Sequence, residues 1–122
     1  MRILIADGGV STRFALCTLL GQHPGWKVVA EVASAAKLQS GIEETNPDLV
    51  LLDWYLPELH PQQMIAELSV RFPCCAVIVL SGRPETRPHA MACGANGFVS
   101  KADPPNHLLD TISSITPRGT TI

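Results

Sequence analysis

Leu49-Val50-Leu51-Leu52-Asp53 is a run of four apolar residues ending in an acid. A strand that is apolar at every position, rather than at alternate ones, is covered on both faces. That is the situation of a central strand in a parallel sheet, with helices supplying the cover. The sequence on either side meets this requirement.

Upstream, Asn46-Pro47-Asp48 breaks a helix that Ser34 can cap and that runs to about Thr45, with Leu38 and Ile42 four apart. Trp26 to Val32 reads as a strand set off by a Pro24-Gly25 turn. Ser11 and Thr12 offer N-caps for a helix through Leu20, with Phe14, Leu16, Leu19 and Leu20 expected on its buried side. Ile3-Leu4-Ile5-Ala6 is the first strand, and it too delivers an acid, Asp7, followed by Gly8-Gly9.

Downstream, Pro57 and Pro61 punctuate a loop, and Gln62 to Phe72 places Met64, Ile65, Leu68 and Phe72 near helical spacing. Ala76 to Leu80 is a fourth strand ending at Ser81-Gly82. Pro84 and Pro88 crowd the next helix, which is expected to begin near Arg87 and stop at Cys93-Gly94. Gly97-Phe98-Val99-Ser100 is a fifth strand ending at Lys101. Asp103 as N-cap and Pro104 as first helical residue open a last helix to about Ile115, before a polar tail at Pro117-Arg118-Gly119. Five strands alternating with five helices predict an α/β domain: a five-stranded parallel sheet, right-handed crossovers and helices on both faces.

The bulk properties agree with one such domain. The chain has 122 residues, 46% of them hydrophobic and 16% charged. That is enough for one core and too apolar for disorder. A formal charge of −2 argues against holding DNA by counterion release. No apolar run reaches the ~18 residues of a membrane helix, and the N-terminus lacks a signal-peptide pattern, so a cytoplasmic protein is expected. Cys17, Cys74, Cys75 and Cys93 form no C-x-x-C pair, and the four histidines are scattered. Buried reduced thiols are expected rather than zinc ligands.

Ligands of open α/β sheets gather at the carboxyl ends of the strands. Those ends present Asp7, Asp53, Ser81 and Lys101. Each alone reads as a cap, a turn former or a solvated charge. Together they suit phosphoryl chemistry. Carboxylates hold Mg²⁺, an ammonium balances phosphoryl oxygens, a hydroxyl donates to one of them, and Asp53 can serve as the covalent nucleophile.

From "RILIADGG" to about Ile115 the chain resembles the receiver domain of bacterial two-component response regulators, the CheY-like family. The motifs are "ILIAD", "PDLVLLDWYLP" around Asp53, "VIVLSG" at Ser81 and "GANGFVSK" at Lys101. "HPGWKVVAEVAS", and Ala102 where many receivers have Pro, resemble the NarL/LuxR class. Members of that class usually add a C-terminal helix-turn-helix DNA-binding domain. No such domain is read here, and "ITPRGTTI" looks like the start of a linker.

The resemblance implies a flavodoxin-like strand order 2-1-3-4-5, a receiver over 1–116 and a tail or linker over 117–122. It implies that a sensor histidine kinase passes a phosphoryl group to Asp53. Mg²⁺ would be held by Asp7, Asp53 and the backbone carbonyl of Tyr55. Lys101 would engage the phosphoryl group, and Ser81 and Phe98 would shift together as a switch. The face of the fourth helix, fifth strand and fifth helix would then change partners, often forming a homodimer. Such a domain is a phospho-acceptor, not an enzyme in the usual sense.

The sequence departs from the family at Gly8, where a second acid, commonly the direct metal ligand, usually stands; weaker Mg²⁺ binding is expected. Pro61 replaces a usual Gly. Tyr55 and Arg83 occupy positions that tune phosphoryl lifetime in the family, with Arg83 placed to reach an acid. Gly8 keeps open an alternative: a pseudo-receiver that dimerises or docks without phosphorylation. A haloacid-dehalogenase-like phosphatase would want a second Asp where Tyr55 stands, and "ADGGVS" fits no nucleotide-binding glycine loop.

Overall fold

A computed structural model describes residues 1–115 of the chain. The boundary at 116 and the tail over 117–122 lie outside the described residues. The elements alternate as expected: β1 (Arg2–Ala6), α1 (Val10–Gly21), β2 (Lys27–Val32), α2 (Leu38–Thr45), β3 (Leu49–Asp53), α3 (Pro61–Arg71), β4 (Ala76–Ser81), α4 (Arg87–Ala92), β5 (Gly97–Ser100) and α5 (Pro105–Ser114). Short 3-10 turns at Ala35–Lys37 and Pro84–Thr86 lead into α2 and α4. All strand pairs are parallel, in the order β2-β1-β3-β4-β5.

The period of two along each strand divides the apolar residues between two cores. Leu4, Ala6, Val50, Leu52, Val77, Val79 and Phe98 face a layer in which α2 contributes Leu38 and Ile42, α3 contributes Ile65 and Leu68, and α4 contributes Ala90. Ile3, Ile5, Leu49, Leu51, Ile78, Leu80 and Val99 face the other, where α1 contributes Leu20 and α5 contributes Leu108 and Ile112. Every residue of β3 and β4 is buried, which is why both read as unbroken apolar runs. Burying each such Leu or Ile side chain is worth about 1.5–3 kcal/mol.

Four expectations are corrected. The helix α1 starts at Val10 with Gly9, not Ser11 or Thr12, in the N-cap position. Phe14 lies 73% exposed rather than on the buried side, so Leu20, with partly buried Leu16 and Leu19, carries the packing of α1. Pro104, not Asp103, is the N-cap of α5, with Pro105 at the first helical position. Asp103 instead accepts the Ser100 N–H and pairs with His107. Cys75 is buried as expected, whereas Cys74 is exposed. Among the described residues, no helix is long and apolar enough to cross a membrane.

Candidate functional site

The carboxyl ends of β1, β3, β4 and β5 bring Asp7, Asp53, Ser81 and Lys101 to one rim. Both acids are buried, Asp7 at 2% exposure and Asp53 at 7%. Lys101 Nζ lies 2.7 Å from Asp7 Oδ2 and 3.4 Å from Asp53 Oδ2. Burial alone would lower the Lys101 pKa, but the Asp7 hydrogen bond and the Asp53 charge outweigh it and hold the ammonium above its ordinary value.

Backbone contacts fix each member. The Asp7 N–H donates to Val32 O, and Arg13 Nη1 donates to the Asp7 carbonyl at 2.7 Å. Asp7 Oδ1 accepts the Gly9 N–H at 2.8 Å, so this acid also closes the tight turn that leads into α1. Asp53 Oδ1 accepts the Tyr55 N–H at 3.1 Å, and Trp54 N–H donates to Leu80 O. Lys101 N–H donates to Ser81 O, while Ser100 and Asp103 pin the loop on its far side.

Ser81 is fully buried, and its hydroxyl turns into its own loop. It accepts the Arg83 N–H at 3.1 Å and lies 3.3 Å from Arg83 O. Phe98 is buried in the core shared with Ala90 and, at its edge, Trp54. Arg83 does not meet an acid among the described residues; its guanidinium sits 5.9 Å from the ring centre of the half-exposed Tyr55.

Gly8 supplies no ligand, and the space beside it is taken. A Cβ on Gly8 would lie 2.8 Å from Pro57 Cδ. Pro57 is held by a turn in which Leu59 N–H donates to Leu56 O, and its carbonyl accepts the Ala35 N–H. Glu58, in the same turn, has φ 66. Among the described residues no three His, Cys, Asp or Glu side chains cluster around a metal position. Two carboxylates and main-chain carbonyls remain, an oxygen-only set of the kind Mg²⁺ accepts, since that ion commonly uses one or two carboxylates plus phosphate and water.

Arg13 and His89 had no signal in the sequence, and Pro57 read only as loop punctuation. Arg13 grips the Asp7 carbonyl and pairs with Glu31 at 3.5 Å. His89 of α4 meets Trp54 edge-on, with ring centres 5.1 Å apart. An apolar cavity of about 750 Å³ opens between α1 and α5, bordered by Phe14, Leu19, Pro104, Leu108 and Lys101.

Residues 3–113 match the response regulator receiver domain family. The chain belongs to that family. The receiver is 33% identical over 114 residues to an uncharacterised transcriptional regulatory protein, YhcZ, of Bacillus subtilis, a match covering 91% of the receiver and 53% of the relative. It is 25% identical to the transcriptional regulatory protein DegU of Brevibacillus brevis, over 98% of the receiver and 51% of that protein. The receiver therefore spans about half the length of these relatives. A LuxR-family two-component response regulator from an Aurantimonas species superposes with a TM-score of 0.85 at 26% identity, covering 93% of the receiver and 82% of the solved chain. The class and strand order that the motifs implied are thus those of the receiver's relatives.

Proposed function

We propose that this receiver accepts a phosphoryl group on Asp53 from a sensor histidine kinase. The observation that carries the reading is the convergence of Asp53 with Asp7 and Lys101 at the strand ends, Lys101 Nζ bridging both acids. In the transfer, an Asp53 carboxylate oxygen attacks phosphorus and the phosphorus–nitrogen bond of the kinase phosphohistidine breaks. The leaving imidazole takes up a proton. Lys101 moves its charge from the acids to the phosphoryl oxygens. Ser81 rotates out of its own loop to donate to one of them, and Phe98 shifts with it. Asp7, Asp53 and the Tyr55 carbonyl are the groups that would hold Mg²⁺, which when bound neutralises phosphoryl oxygens. The domain is an acceptor that catalyses at most its own phosphorylation and dephosphorylation.

Residues 1–116 act as the receiver and 117–122 as the start of a linker in this reading. Output runs through the face of α4, β5 and α5, by homodimerisation, to a DNA-binding domain outside these residues. The setting is the cytoplasm, whose reducing conditions suit four free thiols.

A second reading has a specific observation behind it. With Gly8 in place of an acid, the receiver would dock or dimerise without phosphorylation. Intact mass after treatment with Mg²⁺ and a small phosphoryl donor, then with a cognate kinase, separates the two. A gain of one phosphoryl group that disappears in Asp53→Ala supports the acceptor. No gain from either donor supports the docking module and overturns the first reading.

A further inference from the structure

We infer that Arg13 is a positioning residue of this pocket: its guanidinium locks the Asp7–Gly8 peptide and so keeps the Asp7 carboxylate in place. What the lock does for phosphoryl transfer rests on the acceptor reading above; the lock itself does not.

The need for a lock lies in Asp7-Gly8-Gly9. The Asp7 N–H is bonded to Val32 O, just beyond the last residue of β1. Helix α1 begins at Val10, and Gly9 at its N-cap position makes no side-chain cap. Between these points lie two exposed residues without side chains. Turning the peptide plane between Asp7 and Gly8 changes ψ of Asp7 and φ of Gly8 together. Most residues resist the positive φ that such a flip brings, whereas glycine accepts it at little cost. Gly8 is not in that region here, so the flipped form is an alternative to the state seen.

Arg13 opposes the flip. Reaching back from the fourth residue of α1, its Nη1 donates to Asp7 O at 2.7 Å. A charged donor makes this bond stronger than one between neutral groups. The Arg13 side chain is only 17% exposed, and burying a guanidinium is costly unless it is paired. Its partner is Glu31, with Oε1 3.5 Å from Nε. Strand register sets Glu31 of β2 beside Ile5 of β1. One turn further along α1, burial and a hydrogen bond to Glu31 hold the Cys17 thiol above its ordinary pKa, so a neutral thiol also faces that acid. Arg13 thereby ties α1, β2 and the peptide after β1 into one frame. With the carbonyl fixed, Oδ1 is left to the Gly9 N–H and Oδ2 to Lys101.

The test is nuclear magnetic resonance of the full chain, with circular dichroism to confirm folding. The wild type should give one sharp amide signal at position 8. In Arg13→Met that signal should double or broaden by exchange, and its nuclear Overhauser effect from Asp7 Hα should change in intensity. A Cβ at position 8 should restore the single signal. Gly8→Ala, combined with Pro57→Ala to make room, bars the flip even with Arg13→Met. A single unchanged signal in Arg13→Met overturns the inference, as does doubling that persists in the triple variant. Should Arg13→Met fail to fold, Arg13→Gln takes its place, its amide ending two bonds short of the Nη1 position. With Mg²⁺ and a small phosphoryl donor, Arg13→Met should gain mass about tenfold more slowly than the wild type, since a small misplacement within a site costs up to about a hundredfold. An equal rate overturns the positioning role. A wild type that gains no phosphoryl group overturns the acceptor reading instead, and the resonances still decide the lock.

Discussion

Glu58 shows what a single residue can conceal. Its φ of 66 at the third position of a turn closed by Leu59 N–H to Leu56 O, with Pro57 second, is the signature of a type II turn. That position favours Gly or Asn, and Glu pays in strain. Glu58→Asn should raise stability by about 0.5–1 kcal/mol, seen as a higher denaturation midpoint. The sequence shows only an acid after a proline here, and the backbone shows it to be an ill-suited turn residue. Lys101 carries a pH consequence. Its pKa is raised on folding, so its contribution to stability is complete below the unfolded value, about 10.4, and fades as pH rises through the folded value. Urea midpoints should fall above about pH 10.4 in the wild type and less steeply in Lys101→Met. Arg83 and Tyr55 form a cation–π contact beside Asp53, the proposed acceptor. Removing Arg83 should shorten the life of a phosphorylated Asp53 by about two- to tenfold, measured as loss of the added mass. The sequence placed both residues at the site. It could not tell that Arg83 would choose a ring over a carboxylate, because that depends on which partner lies within reach.

At the scale of elements, the sequence was most legible where burial is symmetrical. Both faces of β3 and β4 are covered, so every residue carries the signal. The helices were read less well, because an apolar residue on a helix shows that some face is greasy but not which face has a neighbour. Phe14 is the case in point, exposed at the rim of the α1–α5 cavity. The start of α1 was misplaced for a different reason: Gly9 takes the N-cap position with no side-chain cap, so Ser11 and Thr12 lie inside the helix rather than before it. The contact of Gly8 with Pro57 joins two loops far apart in sequence and left no local trace. It sets opposing effects for Gly8→Asp. The added charge should tighten Mg²⁺ binding, while crowding of Pro57 should cost about 1–3 kcal/mol of stability. Gly8→Asp with Pro57→Ala should recover part of that loss. The helix α4 has six residues and follows a 3-10 turn, with a proline in its first turn. So few repeating hydrogen bonds should leave its amides exchanging about tenfold faster than those of α1 in hydrogen–deuterium exchange.

The whole molecule was legible as an alternation of elements, and the strand order followed from the motifs rather than from the periodicity. What the pattern of apolar residues could not convey is how the strand ends are tied. Asp7 leaves β1 and Lys101 leaves β5, with β3 and β4 between them in the sheet. Three strand spacings, roughly 14 Å, separate those two edges. The Lys101 ammonium reaches past Asp53 to close that gap, joining residues 94 positions apart. It is among the most non-local contacts the chain makes, and such contacts form late because loop-closure entropy must be overcome first. The pocket therefore cannot exist in a partly assembled sheet. A nascent or locally unzipped chain whose β5 has not docked displays Asp53 without the ammonium, and so lacks the cation that would meet incoming phosphoryl oxygens. Under the proposed function, competence to be modified is in this way a certificate of completed folding, issued by the last strand.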